Sequence, residues 1–490
     1  MDVSVQTRTM KKSAANLNLN RRNFLKTTSL AAGAVAFGVP ALLRAQNLNS
    51  KLNLACIGIE GKGQSDTNIC GEVENIVALC DVDAERSKKQ QDKYPDAKFY
   101  QDYRQLFAEM GDKVDAVTVS TPDHMHAIIA SLAMSKGKHI YCQKPLVQTI
   151  YEARYLKNLA QEKNLVTQMG NQGSSADGLR RAVEVIQAGI IGDVREVHVW
   201  TNRPVWPQGM ERPAGTDEVP TTLNWDGWIG CAPMRPYKKD VYNPFKWRGW
   251  QDFGTGALGD MACHTVNMPF RALQLGYPTV INAKTDFMPA ETYPLGSKIH
   301  FEFPAANPSL LHPHTSLIWY DGGKADASAP NGHDFSNKPP KHLLADIEAL
   351  QGEVPNSACL LIGSEGTIFS PDDYGEQFFV KLHGDKKFVH YKKHPAVEPI
   401  PQTIPRNAFK GDSDKRHHLE WIDAVKQGKP ELCYSRFAIA AQLTEIMLLG
   451  CVALRTGKKI DWDGENMQAK NCPEAAKFIK RDNRDGWALS

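Results

Sequence analysis

The residues with the clearest chemical potential lie in one stretch, residues 247–267, in which glycines precede an acid and an imidazole. Three glycines fall within six positions, and Asp260 and His264 follow them four residues apart. Glycines allow a loop to approach a ligand closely, and in a helix the Asp260 carboxylate and the His264 imidazole share one face. Such a pair suits proton transfer near neutral pH. An N-capping Asp followed by a packed His, or two ligands of a zinc site, fits the same spacing.

Aromatic residues are concentrated just before this stretch, since six of the ten tryptophans lie within residues 200–250. Aromatic rings stack on the C–H faces of sugars while polar neighbours bind the hydroxyls. We expect at least half of these rings to be core. The candidates for substrate contact are the rings that lead into the glycines and the nearby cations: Trp247, Trp250, Arg203, Lys246 and Arg248.

A dinucleotide-binding unit near the start of the chain is the element that would position these groups. Residues 52–58 have the pattern of a buried strand that runs into glycines, and residues 76–80 form a second strand that ends at Asp81. Glycines let the turn approach a pyrophosphate at a helix N-terminus, and the acid binds the ribose hydroxyls. Asp81 follows Gly63 by 18 residues, and its charge favours NAD over NADP. The predicted cofactor contacts of this unit are Gly58, Gly61, Gly63 and Asp81.

Strands and helices alternate after Asp81, which predicts a parallel, doubly wound sheet. Residues 114–120 and 138–142 have the pattern of buried strands, and a helical segment separates them. Thr121-Pro122 and Lys144-Pro145 then fall at strand ends, where such sheets bind ligands. A Lys before a Pro is held on an extended backbone, although a solvated surface Lys fits this position equally well.

From about residue 171 the pattern changes to that of a second domain. Residues 194–200, 298–303, 316–320 and 360–369 favour a largely antiparallel sheet, residues 321–342 a long loop, and residues 415–427 and 436–454 helices. We therefore predict an α/β fold in which an N-terminal Rossmann domain (46–170) is followed by an α+β domain with a large, mostly antiparallel sheet (171–490).

The first 45 residues are predicted to be a twin-arginine signal peptide, because Arg21-Arg22 precedes an uncharged run rich in Ala and Gly. A signal anchor that stays attached is the alternative. Without this segment the 58 basic and 55 acidic residues fall to 51 and 54, so we expect no nucleic-acid partner and no integral membrane segment in the mature chain. The ten cysteines show no metal spacing and favour buried thiols, with a disulfide left open.

Taken together, these features resemble the glucose-fructose oxidoreductase / inositol dehydrogenase / rhizopine catabolism (Gfo/Idh/MocA) family. The elements that carry the resemblance are the turn at residues 58–63, Asp81, the Thr-Pro-Asp-His-x-His run at 121–126, Gln-Lys-Pro at 143–145 and Asp260-x-x-x-His264. Segments 188–197, 225–233 and 484–487 extend it over nearly all of the chain after residue 45, and the last two resemble the exported bacterial branch.

The resemblance implies roles for particular residues. Lys144 contacts both the cofactor and a substrate hydroxyl, and Asp260 and His264 complete the catalytic site with His264 as the proton acceptor. Asp81 binds the adenosine ribose. The further cofactor contacts that it implies are Ser120, Thr121, Pro122, His126 and Asn171, the last of these near the nicotinamide or the substrate. No third metal ligand accompanies Asp260 and His264, so we predict no metal.

The chain departs from the family pattern at two positions. Gln143 stands where the family has Glu, which removes a negative charge near the cofactor. Glu60 stands where the glycine turn has its middle glycine, so that its side chain would crowd the pyrophosphate, and Gly61 is expected to make the close approach instead.

These observations predict an exported, periplasmic oxidoreductase that transfers a hydride between a sugar or glycoside hydroxyl and a tightly held NAD. The alternative within the same fold is an NAD-dependent glycoside hydrolase or lyase that oxidises the sugar transiently and eliminates its substituent. A sugar-binding protein without turnover is a third possibility. We expect a homo-oligomer that associates through the sheet of the second domain.

Overall fold

The computed structural model describes residues 50–304 and 307–490, and the predicted signal peptide lies outside these residues. The described chain contains a six-stranded sheet followed by a ten-stranded sheet. The fold class predicted from the sequence, a Rossmann domain followed by an α+β domain with a mostly antiparallel sheet, is confirmed.

The first sheet is parallel throughout, with strand order β3-β2-β1-β4-β5-β6. The order reverses between β1 and β4, and ligands bind at the carboxyl ends of strands next to such a switch. The elements of this part are the strands β1 (Asn53–Ile57), β2 (Asn75–Cys80), β3 (Lys98–Tyr100), β4 (Ala116–Val119), β5 (His139–Cys142) and β6 (Thr167–Met169), and the helices α1 (Lys62–Gly71), α2 (Lys88–Lys93), α3 (Tyr103–Met110), α4 (Asp123–Ser135) and α5 (Ile150–Glu162).

Local sequence signals explain where these helices begin. The Thr149 hydroxyl accepts from the backbone N–H of Glu152, whose carboxylate accepts from the Thr149 N–H, which is a complete capping box at the start of α5. Asp102 caps α3 in the same position, by accepting from the N–H of Arg104. Helix α1 instead begins at Gly61 without any side-chain cap, which leaves its first N–H groups available to an anion.

The second sheet has the order β14-β13-β12-β11-β7-β10-β9-β8-β15-β16. Its paired strands are antiparallel except for β7 and β10. The strands are β7 (Val194–Thr201), β8 (Val280–Lys284), β9 (Gly296–Phe303), β10 (Leu311–Gly322), β11 (Ala358–Gly363), β12 (Gly366–Ser370), β13 (Phe379–Leu382), β14 (Val389–His390), β15 (Ile460–Asp463) and β16 (Gln468–Ala469).

Helices from the second half of the chain pack on both sheets. They are α6 (Asp177–Gln187), α7 (Trp225–Ile229), α8 (Gly256–Thr265), α9 (Asn267–Ala272), α10 (Lys341–Gln351), α11 (Ser413–Gln427), α12 (Phe437–Thr456) and α13 (Ala476–Ile479). Trp421 of α11 packs with Leu54, Tyr141 and Val166, so a helix from after residue 400 completes the core of the Rossmann sheet. The domain boundary near residue 170 stays a prediction.

Helix α12 is the longest helix in the described chain and contacts α5, α8 and β8. Its length and apolar composition meet the requirement for a membrane span, but most of its residues are buried inside the fold. An apolar helix that is buried on nearly all sides is also what the centre of a large core requires. All ten cysteines are buried and free, as is typical of thiols that serve as small core residues.

Candidate active site

The glycine turn after β1 has the geometry of a phosphate-binding loop. A Cβ at Gly58 would lie 2.7 Å from the carbonyl oxygen of Ser120, and one at Gly63 would lie 1.8 Å from that of Gly58. Both positions therefore require glycine for close packing. Gly61 has a φ of +61°, and a Cβ there would meet nothing within 4 Å. This open space lies at the uncapped N-terminus of α1, where a pyrophosphate fits.

Asp81 lies at the end of β2, and its carboxylate holds the turn in place. It accepts hydrogen bonds from the N–H groups of Ile59 (3.0 Å) and Asp83 (3.0 Å). Burial raises the pKa of Asp81 to about 6, although these two N–H groups oppose the shift. The carboxylate borders the adjoining cleft and has lone pairs left for ribose hydroxyls.

The cleft beside this turn is a cavity of about 460 Å³, within the size range of cofactor pockets. The glycine turn and the ends of β2, β4 and β5 form its floor, and residues from the second half of the chain form its roof: Leu223, Gly227, Trp228, Asn243, Pro244, Phe245, Trp247, Arg248 and Trp487. Two polar atoms at the floor, Glu60 Oε1 and Thr121 Oγ1, are buried without a partner. The open space at Gly61 and the unpaired Thr121 hydroxyl fit a bound dinucleotide, whereas the Glu60 carboxylate can accept from a ribose hydroxyl but would repel the pyrophosphate.

A buried polar network lies behind the ends of β4 and β5. Asp66, on α1, accepts from the Ser120 hydroxyl (2.7 Å), the Gln143 side-chain amide (2.8 Å) and the Lys62 ammonium (2.7 Å). Burial by itself would raise the pKa of Asp66, but Lys62 and His418 lower it overall. Gln143 therefore replaces the family's Glu next to a carboxylate that stays ionised, since a second buried carboxylate would be repelled there.

Lys144 and Asp260 meet at the centre of the site. The Lys144 ammonium donates to the Asp260 carboxylate (3.0 Å) and to its backbone carbonyl (2.9 Å), and Arg248 Nε donates to the same carboxylate oxygen (3.2 Å). Burial opposes ionisation of Asp260, but Lys144 and Arg248 outweigh it and lower its pKa to about 2. Asp260 lies within α8 and is not an N-cap. The Asp260 carboxylate therefore binds two cations, the Lys144 ammonium and the Arg248 guanidinium.

His264 lies one helical turn further along α8 and is 5% exposed. Neither ring nitrogen has a hydrogen-bond partner among the described residues, and Nδ1 is fully buried. Burial lowers the pKa of His264 well below its usual value, and the charge of Lys144 adds to the shift. The imidazole is therefore neutral at pH 7 and can accept a proton.

The aromatic residues ahead of α8 divide into a site group and a core group. Trp247 lines the cleft, and the Arg248 guanidinium lies 4.3 Å from its ring centre. The prediction that Trp250 contacts substrate is wrong: it is 1% exposed, its indole N–H donates to the Val241 carbonyl (3.1 Å), and its ring packs against Tyr242. Arg203 acts electrostatically on His264.

Two further predicted cofactor contacts, His126 and Asn171, are buried supports behind the cleft. The His126 ring nitrogens contact the carbonyl oxygens of Pro145 (2.9 Å) and Thr121 (2.8 Å), so this side chain ties together the ends of β4 and β5. Asn171 is 0% exposed, donates to the Cys263 carbonyl (3.1 Å) and accepts from Ser435 and Ser174. Their polar atoms are engaged by protein groups, so in this structure they support the cleft, and a direct contact of either residue with the cofactor stays a prediction. Ser120, Thr121 and Pro122 do line the cleft.

Two residues on a loop that reaches His264, Asp373 and Tyr374, were not predicted from the sequence. Tyr374 places its ring edge against the His264 ring, with centroids 5.1 Å apart. Burial raises the pKa of its neighbour Asp373, although Ser357 and the charges of Arg203 and Lys144 oppose the shift. Both residues lie in a short loop after β12, which a sequence pattern cannot distinguish from an ordinary turn.

Potential metal ligands among the described residues cluster once, at Asp66, Asp414 and His418. The Lys62 ammonium lies 2.7 Å from the carboxylate of Asp66 and 2.6 Å from that of Asp414. A positive charge is thus already present between the two carboxylates. We therefore interpret the cluster as a network of ion pairs that joins α11 to the glycine turn.

Two family models match the chain in succession. Residues 52–171 match the Gfo/Idh/MocA oxidoreductase family, NAD-binding Rossmann fold, and residues 184–275 match the C-terminal alpha/beta domain of the same family. The first match confirms the prediction of an NAD-binding Rossmann domain. The boundaries of the two matches agree with the change from the first sheet to the second.

Similar sequences include a levoglucosan dehydrogenase of Pseudarthrobacter phenanthrenivorans, 27% identical over 156 residues, or 32% of this chain and 32% of the relative. An inositol 2-dehydrogenase of Salmonella typhimurium is 32% identical over 127 residues, or 25% of this chain and 37% of the relative. The matched segment thus spans about a third of the length of each of these curated relatives.

Solved structures with the same fold cover most of the chain. A levoglucosan dehydrogenase in complex with NADH and levoglucosan has a TM-score of 0.56 at 18% identity and covers 84% of this chain and 99% of its own. An inositol dehydrogenase homolog from Azotobacter vinelandii, complexed with NADH and myo-inositol, has a TM-score of 0.55 at 16% identity, with 84% and 98% coverage. Residues 52–171 and 184–275 therefore belong to the two domains of the Gfo/Idh/MocA oxidoreductase family, and the solved structures show that the same fold extends over most of the chain.

Proposed function

We propose that this protein is an NAD-dependent oxidoreductase that acts on a hydroxyl group of a sugar or glycoside. The observation that carries the proposal is the unpartnered, neutral imidazole of His264, one helical turn from Asp260, whose carboxylate binds the Lys144 ammonium. Lys144 in turn lines the cleft that is built on the glycine turn. The sugar and polyol dehydrogenases among its relatives support the substrate class.

The roles of the side chains follow from their charges. His264 takes the proton of the substrate hydroxyl, because its imidazole is neutral and has no competing partner. Lys144 donates a hydrogen bond to the same oxygen and stabilises the negative charge that develops there. Asp260 holds Lys144 in place and stays ionised. When bound, NAD supplies the hydride acceptor at its nicotinamide ring.

The enclosed cleft supports a cofactor that remains bound between turnovers. Backbone hydrogen bonds join the roof segment to the Rossmann domain. The Ala84 N–H donates to the Thr222 carbonyl (3.0 Å), and the Asn224 N–H donates to the Val82 carbonyl (2.8 Å). These contacts hold the roof over the cleft, which favours retention of a bound dinucleotide. We propose that the cofactor is recycled in place by a second carbonyl substrate.

The test begins with denaturation of the purified protein and identification of any released dinucleotide by mass spectrometry. Adding sugars and polyols to the intact protein should then raise absorbance at 340 nm as the bound cofactor is reduced. His264→Ala should abolish this reduction without loss of bound cofactor, whereas His314→Ala, at an exposed histidine, should leave it unchanged. Absence of nicotinamide dinucleotide from the denatured protein contradicts the proposal.

A second candidate is an NAD-dependent glycoside hydrolase or lyase, which the same enclosed cleft favours. Such an enzyme would oxidise the sugar to a ketone, eliminate the substituent, add water to the resulting unsaturated ketone in the case of a hydrolase, and then reduce the ketone again, so that its cofactor never has to leave. Incubation with aryl glycosides distinguishes the two, because release of the aglycone without accumulation of a keto-sugar indicates the hydrolase. A keto-sugar product indicates the dehydrogenase.

We also propose that the chain is exported by the twin-arginine pathway, on the evidence of residues 20–45 of the sequence. Cell fractionation should find the protein in the periplasm, and Arg21→Lys/Arg22→Lys should retain it in the cytoplasm. A periplasmic location of the double variant contradicts this route.

We propose that copies of the chain associate through the second sheet. The strands β7, β9 and β10 carry partly exposed side chains on the face that α10 covers only in part, among them Glu196, His300 and Ser316. Light scattering at several protein concentrations tests the proposal. A monomer at micromolar concentration contradicts it.

A further inference from the structure

The loop between β12 and β13, residues 371–377, is held rigidly against the active site. The Asp372 carboxylate accepts from the backbone N–H groups of Tyr374 (2.8 Å), Glu376 (3.1 Å) and Gln377 (3.0 Å). These three bonds fix the path of the loop from within.

The loop also packs closely on the segment that precedes and begins α6. A Cβ at Gly173 would lie 2.5 Å from the carbonyl oxygen of Tyr374, and one at Gly178 would lie 1.8 Å from that of Glu376. The absence of side chains at both glycines lets the loop approach this closely. The position of Tyr374 relative to α6 is therefore determined by backbone contacts.

Tyr374 brings the loop into direct contact with the proposed proton acceptor. Its ring stands edge-on to the His264 ring, at 83° and with 5.1 Å between centroids. The Tyr374 hydroxyl has no hydrogen-bond partner among the described residues. A half-buried phenol beside a catalytic imidazole is in a position to hydrogen-bond the same ligand.

Asp373, the neighbour of Tyr374, has an unused acceptor. Its Oδ1 atom is buried and has no hydrogen-bond partner, and no ion pair joins the carboxylate to a described cation. Leaving a buried carboxylate oxygen unpaired is costly unless a ligand satisfies it. The carboxylate belongs to the same loop as Tyr374, whose ring contacts His264, and the charges of Arg203 and Lys144 act on it.

Arg203 supplies the complementary unused donor. Its guanidinium contacts only the neighbouring Asn202 side chain and forms no ion pair within the described residues. Its charge acts on His264, Asp373 and Tyr374. By contrast, the site's other cations, Lys144 and Arg248, are already paired with Asp260.

We propose that Asp373, with Tyr374 and Arg203, forms the subsite that recognises the hydroxyls next to the reacting carbon of a neutral polyol. A hydroxyl both donates and accepts, so adjacent hydroxyls satisfy the Asp373 carboxylate and the Arg203 guanidinium together. A sugar carboxylate in place of the hydroxyl that faces Asp373 would be repelled by the Asp373 carboxylate. The subsite rests on the proposed oxidoreductase function and names the part of the substrate that orients it against His264.

The test uses the protein with its bound cofactor and a panel of probes: levoglucosan, myo-inositol, D-glucose, methyl glucosides and D-glucuronate. The best neutral probe serves for the kinetics of Asp373→Asn, Asp373→Ala, Arg203→Met and Tyr374→Phe. Removal of a hydrogen bond to a charged group should raise KM by about 10-fold to 100-fold with a smaller change in kcat. The matched control is Asp286→Asn, at an exposed acid that does not line the cleft.

Deoxy analogues of the best probe locate the contact on the substrate. In the wild-type protein, one analogue that lacks a single hydroxyl should lose at least 10-fold in kcat/KM, and this loss should shrink to less than 3-fold in Asp373→Asn. D-Glucuronate should react more slowly than D-glucose in the wild type, and this difference should narrow in Asp373→Asn.

The outcomes separate the subsite from the function on which it rests. If no polyol reduces the bound cofactor of the wild-type protein, the proposed function itself is overturned. If the wild type reacts and the kinetics of all four variants match those of Asp286→Asn, the function stands and the subsite is wrong. Cofactor content, measured for each variant, shows that the variants remain folded.

Discussion

The proton affinity of His264 depends on its burial and on the charge that Lys144 carries beside it. Both lower the pKa of the imidazole well below its ordinary value, so the ring stays neutral as the pH falls from 8 to 6. The proton-accepting form is therefore retained over this range. We expect kcat of the cofactor-loaded protein to change by less than about 2-fold between pH 8 and 6. A decline with a midpoint near 6.5 in a pH–rate profile contradicts this assignment.

The buried hydrogen bond between Gln143 and Asp66 can be tested by a substitution that changes the charge. The Gln143 amide donates to Asp66 in a buried site (2.8 Å), and Gln143→Glu places a second carboxylate there. We expect a loss of about 2–4 kcal/mol in unfolding free energy, because a buried carboxylate without a donor is left beside a like charge. Urea unfolding measures it.

The double variant Asp66→Asn/Gln143→Glu provides the control for that substitution. It restores one amide and one carboxylate to the pair, with the donor and the acceptor exchanged. More than half of the lost free energy should return. A double variant that is no more stable than Gln143→Glu shows that the pair does not act as proposed.

That Lys144, Asp260 and His264 lie together was predictable from sequence, but their pairing was not. Lys144, Asp260 and His264 occupy one site as the motifs implied, yet the spacing suggested that Asp260 serves His264. Lys144 and Arg248 take its carboxylate instead, because they approach from other parts of the chain. A helical period describes one face of one helix and carries no information about such partners. For the same reason Asp373 was not foreseen, and Trp250 was assigned to the wrong group.

The C-terminal segment is the element that closes the cleft at its adenosine end. Arg484 pairs with Asp226 (2.6 Å) and donates to the Gly230 carbonyl (2.9 Å), and Trp487 lines the cavity beneath the Arg104 guanidinium. The Arg484→Ala variant should release bound NAD about 10-fold faster, since it loses the hydrogen bonds to the Asp226 carboxylate that hold this segment over the cleft. Dinucleotide retained during gel filtration over time measures the rate.

A matched substitution shows whether any such effect belongs to this segment. Arg212 forms an ion pair with Glu291 on the surface (2.8 Å), away from the residues that line the cleft. Arg212→Ala should leave the release rate unchanged. Equal rates for the two variants contradict a closing role for Arg484.

Helix α11 completes the Rossmann core from a distant part of the sequence, so its packing can be tested by substitution. Trp421 is 0% exposed and packs edge-on against Tyr141. Trp421→Ala should cost about 3–5 kcal/mol of unfolding free energy in urea. Phe287→Ala, at a ring that is 62% exposed, should cost less than about 0.5 kcal/mol. Similar losses of unfolding free energy in both variants would contradict the packing of Trp421 in the Rossmann core.

The sequence predicted most elements and few of their contacts. The alternation of buried strands and helices predicted the first sheet, and residues 415–427 and 436–454 were predicted as helices close to α11 and α12. Residues 360–369 were expected to be one strand and form two, β11 and β12, with a turn at Ser364-Glu365. Apolar residues run through both strands, so hydrophobicity alone does not mark the turn. That α11 packs on the first sheet follows from tertiary contacts that no local pattern records.

At the scale of the whole molecule, the cleft joins the two halves of the chain. Its floor belongs to the Rossmann sheet and its roof to residues after 220, so a bound dinucleotide contacts both. A ligand that binds only the folded state stabilises it in proportion to its affinity. The cofactor therefore contributes to the stability of the entire fold as well as to chemistry.

Removal and return of the cofactor test this coupling. Protein freed of dinucleotide by charcoal should melt about 3–6 °C lower in differential scanning fluorimetry, and saturating NAD should restore the loss. NADP should not, because the Asp81 carboxylate at the ribose end of the cleft repels a 2′-phosphate. Asp81→Asn should let NADP recover part of the stabilisation. Equal stabilisation of the wild-type protein by NAD and NADP would mean that Asp81 does not contact the ribose.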